Sequence, residues 1–520
     1  MTAFGPVHGK EIMKFDSSAR GRGASGARRR AWHAVLPLFA ALVLAGCATP
    51  PAQLPEVQLP VRFKEQAPSD GAWTRAQPAE AQPRGEWWRA FDDPLLDRLI
   101  AQADAHNTSI QAAAARLAEA RAFARSADAD RMPQVGFGAG GVRSAGLDRN
   151  LGTKPSTLAA AGADLSYEVD LFGKLSRASD AARLDADARE GLLQSARLLV
   201  EAEVAQTYLS LRAVDAERAL VRDTVLAYQD TLKLTQSRLR AGDAAELDVA
   251  RVETEVAATE SDALTLDRHR AELEHTLAVL TGTAASDFGV TTDEWATALP
   301  TIPPGVPATV LTRRPDISAA QKSVLAAQAR VGVAQAAWFP DVALTAGGGY
   351  ASSDLGDLFK WSAKSWGIGA LLALPIFDGG RREAGVQSAS AQLDGALANY
   401  RAQVLVAFKE VEDQLSSLRI LAQQSDVQAK AVSSASRATA LSDSRYRNGY
   451  VSQLDLLDAQ RQELQNRRLA LQVRSAQYQA TVGLIRAIGG GWEMPGAAGG
   501  SAATSASTVG ALQQMAGTGS

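Results

Sequence analysis

The one thiol in this chain of 520 residues is Cys47. A single cysteine excludes an internal disulfide framework and any multi-cysteine metal site. Histidine is scarce as well, with five in the whole chain. His269 and His275 miss the i,i+4 spacing that sets two imidazoles on one helix face around a metal. Neither a glycine-rich phosphate loop nor a nucleophile elbow stands out, so an enzyme is disfavoured and no metal or cofactor is expected. What remains for Cys47 is to act as an acceptor for lipid, and its surroundings suit that chemistry.

Arg28, Arg29 and Arg30 form a positive region, followed by the apolar run from Ala31 to Val43. This is the pattern of a secretory signal, too short to cross a bilayer alone. The run ends in Leu44-Ala45-Gly46-Cys47, which resembles the bacterial lipobox. Small residues at Ala45 and Gly46 let a peptidase reach the bond between Gly46 and Cys47, and the freed thiol carries a diacylglycerol. The plainer alternative is a lone buried cysteine beside an ordinary cleavage site. Acyl chains bury methylenes at roughly 0.8 kcal/mol each, and more than one chain gives a stable anchor. Ala48 follows where an Asp would retain a lipoprotein inside, so outer-membrane lipid is the expected anchor point. The stretch before Met13 reads as neither signal nor fold. From Ala48 to about Gly85 the chain is rich in Pro, Gln and Ala, and reads as an extended tether that cannot pack alone.

The formal charge of -3 and pI near 6.1 argue against nucleic acid as a partner, because phosphate binding needs a basic excess. Removal of residues 1–46, with seven basic and two acidic side chains, takes the charge to -8. Alanine supplies about a fifth of the chain while aromatics make up 6%, a bias toward long, closely packed helices.

The elements that could position any site are written twice. Pro133-Gln134-Val135 recurs as Pro340-Asp341-Val342, an offset of 207 residues. The same offset carries Glu203-Val204 onto Glu410-Val411, Arg238 onto Arg445, Gly242 onto Gly449, Leu247-Asp248 onto Leu454-Asp455 and Gly282 onto Gly489. A period this long is a duplicated domain-sized unit rather than a solenoid. Each unit starts with a helix, Leu95 to Arg131 and Asp316 to Ala337, stopped by a proline. Two strand-like segments come next. Phe172 to Gly282 and Ile376 to Met494 then run without proline. In copy one, Val200, Val204, Leu211, Val214, Val221, Val225, Tyr228 and Leu232 keep coiled-coil spacings. Each helical stretch is interrupted once, at Gly242 and Gly449, where a left-handed residue ends one helix before an antiparallel return. Lys174 to Arg240 predicts roughly 100 Å of helix at 1.5 Å per residue.

In Asp164 to Leu171 every odd position is apolar and every even one polar or acidic, which places one strand face in an apolar medium and the other in water. Trp366, Ile368, Ala370, Leu372 and Leu374 form a similar face in copy two. Strands near ten residues long suit a tilted membrane crossing. Four strands cannot close a barrel around a lumen, and an open sheet in lipid leaves backbone groups unpaired, so several chains must share one barrel. The loops Arg143 to Ser156 and Tyr350 to Lys364 are polar enough to lie outside the cell.

Trp87-Trp88 with Phe91-Asp92-Asp93-Pro94, Glu168 to Gly173, Arg314-Pro315-Asp316-Ile317, Leu374 to Gly380 and Gly489 to Trp492 together resemble the outer-membrane factor family, of TolC and OprM type. The match is closest to its NodT-like lipoprotein branch, which serves resistance-nodulation-division efflux pumps. The resemblance implies a mostly α fold with a membrane β-barrel, in which a homotrimer forms a twelve-stranded barrel continued by a long coiled-coil α-barrel. It implies a periplasmic membrane-fusion adaptor and an inner-membrane efflux pump as partners, with no nucleic acid. On that pattern the chain divides into a signal peptide (1–46), a lipidated tether (47–91), two repeats (92–290 and 291–492) and a disordered tail (493–520). It further implies a periplasmic gate at Tyr446, Asp455 and Asp458 with Asp248 and Arg251 from copy one, and adaptor docking at the tips marked by Gly242 and Gly449. Because Asp458 falls opposite Arg251 in the repeat, an inter-helix salt bridge between them is expected to hold the closed state. A type I protein-secretion duct and a lipid-anchored periplasmic coiled-coil scaffold are the alternatives.

Overall fold

The computed structural model describes residues 63–65, 85–145, 155–300, 302 and 313–490. Gly46 and Cys47, most of the tether and the tail from residue 493 lie outside the described residues.

Copy one contains α1 (Pro94–His106), α2 (Thr108–Ala129), β1 (Gln134–Ser144), β2 (Ser156–Val169), α3 (Lys174–Ala241) and α4 (Glu246–Leu280). Copy two contains α5 (Pro315–Ala336), β3 (Asp341–Ser352), β4 (Lys364–Ala373), α6 (Arg381–Arg447) and α7 (Gln453–Ala487). The 68 residues of α3 make about 100 Å of helix, as the proline-free stretch predicts. Seven of its eight seam residues are buried, and Leu232 is half-buried. Among the described residues no helix is long and apolar enough to cross a membrane.

The single first helix expected from Leu95 to Arg131 is instead two. Asn107 adopts an extended backbone, and its carboxamide oxygen accepts from the N–H groups of Ser109 and Ile110 at 2.9 and 3.2 Å. A short carboxamide offers the backbone an alternative to the helical ladder, and the alanine-rich flanks hid that break from the periodicity.

All four strands form one antiparallel sheet in the order β1-β2-β3-β4. Helices continue the same order, since α2 packs on α3, α3 on α5 and α5 on α6. Across the described residues β1 and α2 thus lie at one edge and β4 and α6 at the other.

The core sits at mid-length. Phe91, Leu96, Ile100, Tyr208, Leu209, Leu211 and Tyr478 are all but fully buried there, together with Trp87 and Trp88. The tether is fastened to this level. Phe63 is buried 6.2 Å from the Phe408 ring, and the backbone N–H groups of Lys64 and Glu65 donate to the Glu412 carboxylate at 2.7 and 3.0 Å. Composition suggested no packing in this segment. One aromatic and two charge-assisted hydrogen bonds supply it locally.

Candidate functional site

Two places carry candidate function: the tips of the helical hairpins and the faces of the sheet. Each tip ends in the same backbone motif. Gly242 has φ +82° with Asp243 N–H donating to Arg238 O at 2.8 Å, and Gly449 has φ +76° with Tyr450 N–H donating to Arg445 O at 2.9 Å. Positive φ is what glycine supplies at a helix C′ position, so the motif stops α3 and α6 at equivalent points. Leu247, Leu454 and Tyr450 stand exposed just beyond these turns.

Of the residues expected at a gate, Tyr446 is the buried one. Its hydroxyl lies 3.3 Å from Thr235 Oγ1, to which Gln453 Nε2 also donates at 3.3 Å. Arg238 covers the Tyr446 ring at 4.3 Å and donates to Tyr446 O at 2.8 Å, clamping α3 against α6. Arg238, Thr235 and Gln453 were not legible as a cluster with Tyr446 because the four residues come from three helices. Asp455 accepts from Ser452 N–H and Oγ–H at 3.1 and 2.7 Å, while Ser452 Oγ accepts from Asp455 N–H, a reciprocal cap that starts α7. Asp248 does half as much for α4, accepting from Ala245 N–H at 3.3 Å.

The structure does not bring Arg251 to Asp458 within one chain. Arg251 reaches Asp248 on its own helix at 3.7 Å, and exposed Asp458 lies near Arg461. The link between α4 and α7 sits one turn farther from the tip with its charges reversed, as Arg461 on Glu255. Beside it Tyr228 is buried among Val252 and Leu457. That burial, aided by the Glu255 carboxylate, pushes its phenol up to about 12. Farther up, Arg468 of α7 donates to Glu217 of α3 at 2.6 Å and to Asp262 of α4 at 2.9 Å.

At mid-length the Arg314-Pro315-Asp316 motif is a joint. Arg314 holds Asp316 at 2.7 Å and Glu410 of α6 at 2.6 Å, and donates to Ala487 O at the end of α7 at 3.0 Å. Burial opposes the Asp316 charge, but hydrogen bonds from Arg314 and Gln403 prevail and hold this carboxyl below its usual range. Copy one has Asn107 at the corresponding place, and Asn107 Nδ2 donates to Leu280 O, the counterpart of Ala487 O, at 2.8 Å.

Register assigns the sheet two unlike faces, since directly paired residues share a face. Val135 and Phe137, Ala163 and Leu165, Val342 and Leu344, and Trp366, Ile368 and Leu372 all fall on one face. Phe137, Trp366 and Ile368 are 78%, 73% and 81% exposed there. The other face is mostly small and polar, with Asp164, Glu168, Asp341 and Thr345 among glycines; Val142, Leu158 and Leu371 are its larger apolar residues. At Gly162 the neighbouring strand comes close, because a Cβ there would sit 2.8 Å from Gly348 O. Lys174 closes the end nearest the helices, pairing with Glu168 and Asp341 at 3.0 Å each. Among the described residues no cluster of three or more His, Cys, Asp or Glu could hold a metal.

A hundred-ångström helix pair continued by a sheet with one apolar and one polar face suits the subunit of a membrane duct. The chain belongs to the outer membrane efflux protein family, whose model matches residues 99–283 and 306–490, two stretches separated by the repeat offset itself. It is 32% identical over 464 residues to the toluene efflux pump outer membrane protein TtgI of Pseudomonas putida, covering 88% of this chain and 98% of that one. To the cation efflux system protein CusC of Escherichia coli it is 30% identical over 459 residues, covering 88% and 99%. The solved outer-membrane channel OprN superposes with a TM-score of 0.79 at 28% identity, covering 86% of this chain and 99% of that chain. The chain is an outer-membrane efflux channel protein.

Proposed function

We propose that three copies of this chain form one duct, the outer-membrane exit of a tripartite pump. The observation that carries this is the unfinished wall. β1 and β4 are free edges of a sheet whose exposed face is apolar, and unpaired backbone groups in lipid cost several kcal/mol each. Pairing β4 of one copy with β1 of the next removes both edges, and three copies give twelve strands around a lumen. The same closure sets α6 of one copy beside α2 of the next.

In this reading Cys47 carries acyl chains that moor each copy to the outer membrane after cleavage beyond Gly46. The tips at Gly242 and Gly449, with Leu247, Leu454 and Tyr450 exposed beside them, receive a periplasmic adaptor that joins the duct to an inner-membrane pump. Asp455 and Asp458 of three copies ring the narrow entrance with carboxylates, a field that favours cations. Arg251 and Asp248 stand at the matching level of copy one, and the Tyr446–Arg238 clamp and the Arg461–Glu255 pair hold the closed form. The relatives named above are efflux proteins, which favours export of small molecules over protein secretion. One is named for toluene and one for cations, at nearly equal likeness to this chain. That supports a duct that leaves the choice of cargo to the pump.

Recording from planar bilayers tests the reading. Purified protein is expected to give uniform conductance steps and to migrate as a trimer, and Asp458→Ala is expected to raise the conductance. A monodisperse monomer that inserts without conductance would overturn it.

A further inference from the structure

The apolar face of the sheet does not stop where the strands do. Tyr350 and Lys364 are register partners at the ends of β3 and β4 remote from the helices, one step beyond Gly349 and Ser365 and in phase with Trp366. Both therefore stand on the apolar side. The connection between these strands folds back on that side. Leu358 is buried, the Phe359 ring meets Tyr350 at 5.8 Å edge-on, and Lys364 Nζ lies 4.4 Å from the centre of the Trp361 ring. Leu355, Phe359 and Trp361 nonetheless remain 74%, 74% and 79% exposed.

Among the described residues, this rim carries Arg143, Lys360 and Lys364 against Asp354 and Asp357. Lys364 is exposed, and Lys360 pairs with Asp357 at 2.5 Å while remaining accessible. Arg143 is also exposed, and pairing with Thr157 puts it on the same face of β1, in phase with Phe137. The opposite end of that face carries Val135, Val169, Val342 and Leu372, all uncharged. Charge is thus segregated to one end of a surface that is otherwise apolar.

We propose that this rim binds the phosphate groups of outer-leaflet lipid. The proposal rests on the sheet being the wall of a lipid-facing barrel, as argued above. Tyr350, Phe359, Trp361 and Trp366 form a shelf at the boundary between acyl chains and headgroups, where amphipathic rings are favoured. Lys360, Lys364 and Arg143 then stand at the level of the phosphates, and an ammonium or guanidinium next to a phosphate makes a charge-assisted hydrogen bond. Closing the barrel brings β4 of one copy beside β1 of the next. Lys364 and the neighbour's Arg143 thereby form a joint phosphate clasp at each seam, so lipid binding reinforces assembly.

The test uses the full-length, lipid-anchored protein. It is reconstituted into phosphatidylcholine vesicles without and with bis-phosphorylated lipid A, alongside the Arg143→Gln/Lys360→Gln/Lys364→Gln variant. A charge-conserving variant, Arg143→Lys/Lys364→Arg, serves as a second probe. Readouts are conductance, apparent affinity for lipid A, and the temperature at which the trimer dissociates. Lipid A is expected to raise the dissociation temperature of the wild type and of the charge-conserving variant. The triple variant should conduct normally yet lose about fivefold in lipid A affinity per cation removed, with most of the thermal gain. Equal lipid A affinity and equal gains in the wild type and the triple variant would overturn the proposal alone. Absence of conductance from wild-type protein in every vesicle would overturn the barrel reading, and this proposal with it.

Discussion

The helices α3 and α6 are equivalent elements of a duplicated unit, 68 and 67 residues long, yet 21 residues of α3 are buried against six of α6. Sequence character does not account for this. Leu405, Val406, Ile420, Val427 and Leu441 of α6 are 45–65% exposed, although their types would suit a core. Position accounts for it. α3 packs on α1, α2, α4, α5 and α7, while α6 has α5, α7 and the short tether segment at Phe63. Within one chain, duplication surrounds α3 with helices of both copies and leaves α6 with fewer neighbours. The joint at mid-length shows what both copies must keep: a side-chain donor before the strand-leading helix, Asn107 or Arg314, tied to the last carbonyl of the returning helix.

Breaking that joint should show how differently the copies use it. Arg314→Leu strands Asp316 without its counter-charge and leaves Glu410 with Arg486 at 3.7 Å, and should cost about 3–5 kcal/mol in denaturant unfolding. Leu211→Ala, in the covered helix, should cost about 2–5 kcal/mol. Leu405→Ala should cost less than about 1 kcal/mol within the chain while lowering the trimer fraction on native gels. Equal losses for the two leucines, with assembly unchanged, would erase the contrast between α3 and α6. Asn107→Ala should cost about 1 kcal/mol, the usual loss of an N-cap, which makes the copy-one joint the weaker of the two.

Acid should expose the same asymmetry. The Asp316 carboxyl is held below its ordinary range in the fold, so its contribution to stability is present above the unfolded value and is lost as pH falls through the folded one. Thermal midpoints should therefore drop as pH goes below about 4, and Asp316→Asn should flatten that dependence. Asn107 carries no titrating group, so the copy-one joint should show no such slope.

Much of the fold is legible in the sequence. Proline stops, the alternation in Asp164 to Leu171 and the paired glycines 242 and 449 specify helices, strands and hairpin ends through local sterics, which act within a few residues. The offset of 207 specifies that the elements recur. The break at Asn107 is local but masked by the alanine-rich flanks, whereas the docking of Phe63 depends on partners far along the chain, Phe408 and Glu412 among them. The candidate gate divides in the same way. Position in the repeat singles out Asp455, and its hydrogen bonds to Ser452, which cap α7, come from the structure. Within one chain Arg251 pairs with Asp248, and Arg461–Glu255 is what links α4 to α7 at this level, because the repeat offset gives equivalence between copies and says nothing about which helix faces meet. Sequence alone determined the elements, their duplication and the two-faced strands, since these follow from dihedral preference and the period of side chains. Tertiary structure alone decided that α3 is enclosed and α6 largely bare within the chain, because burial depends on what stands across from a helix face, and no local pattern encodes that.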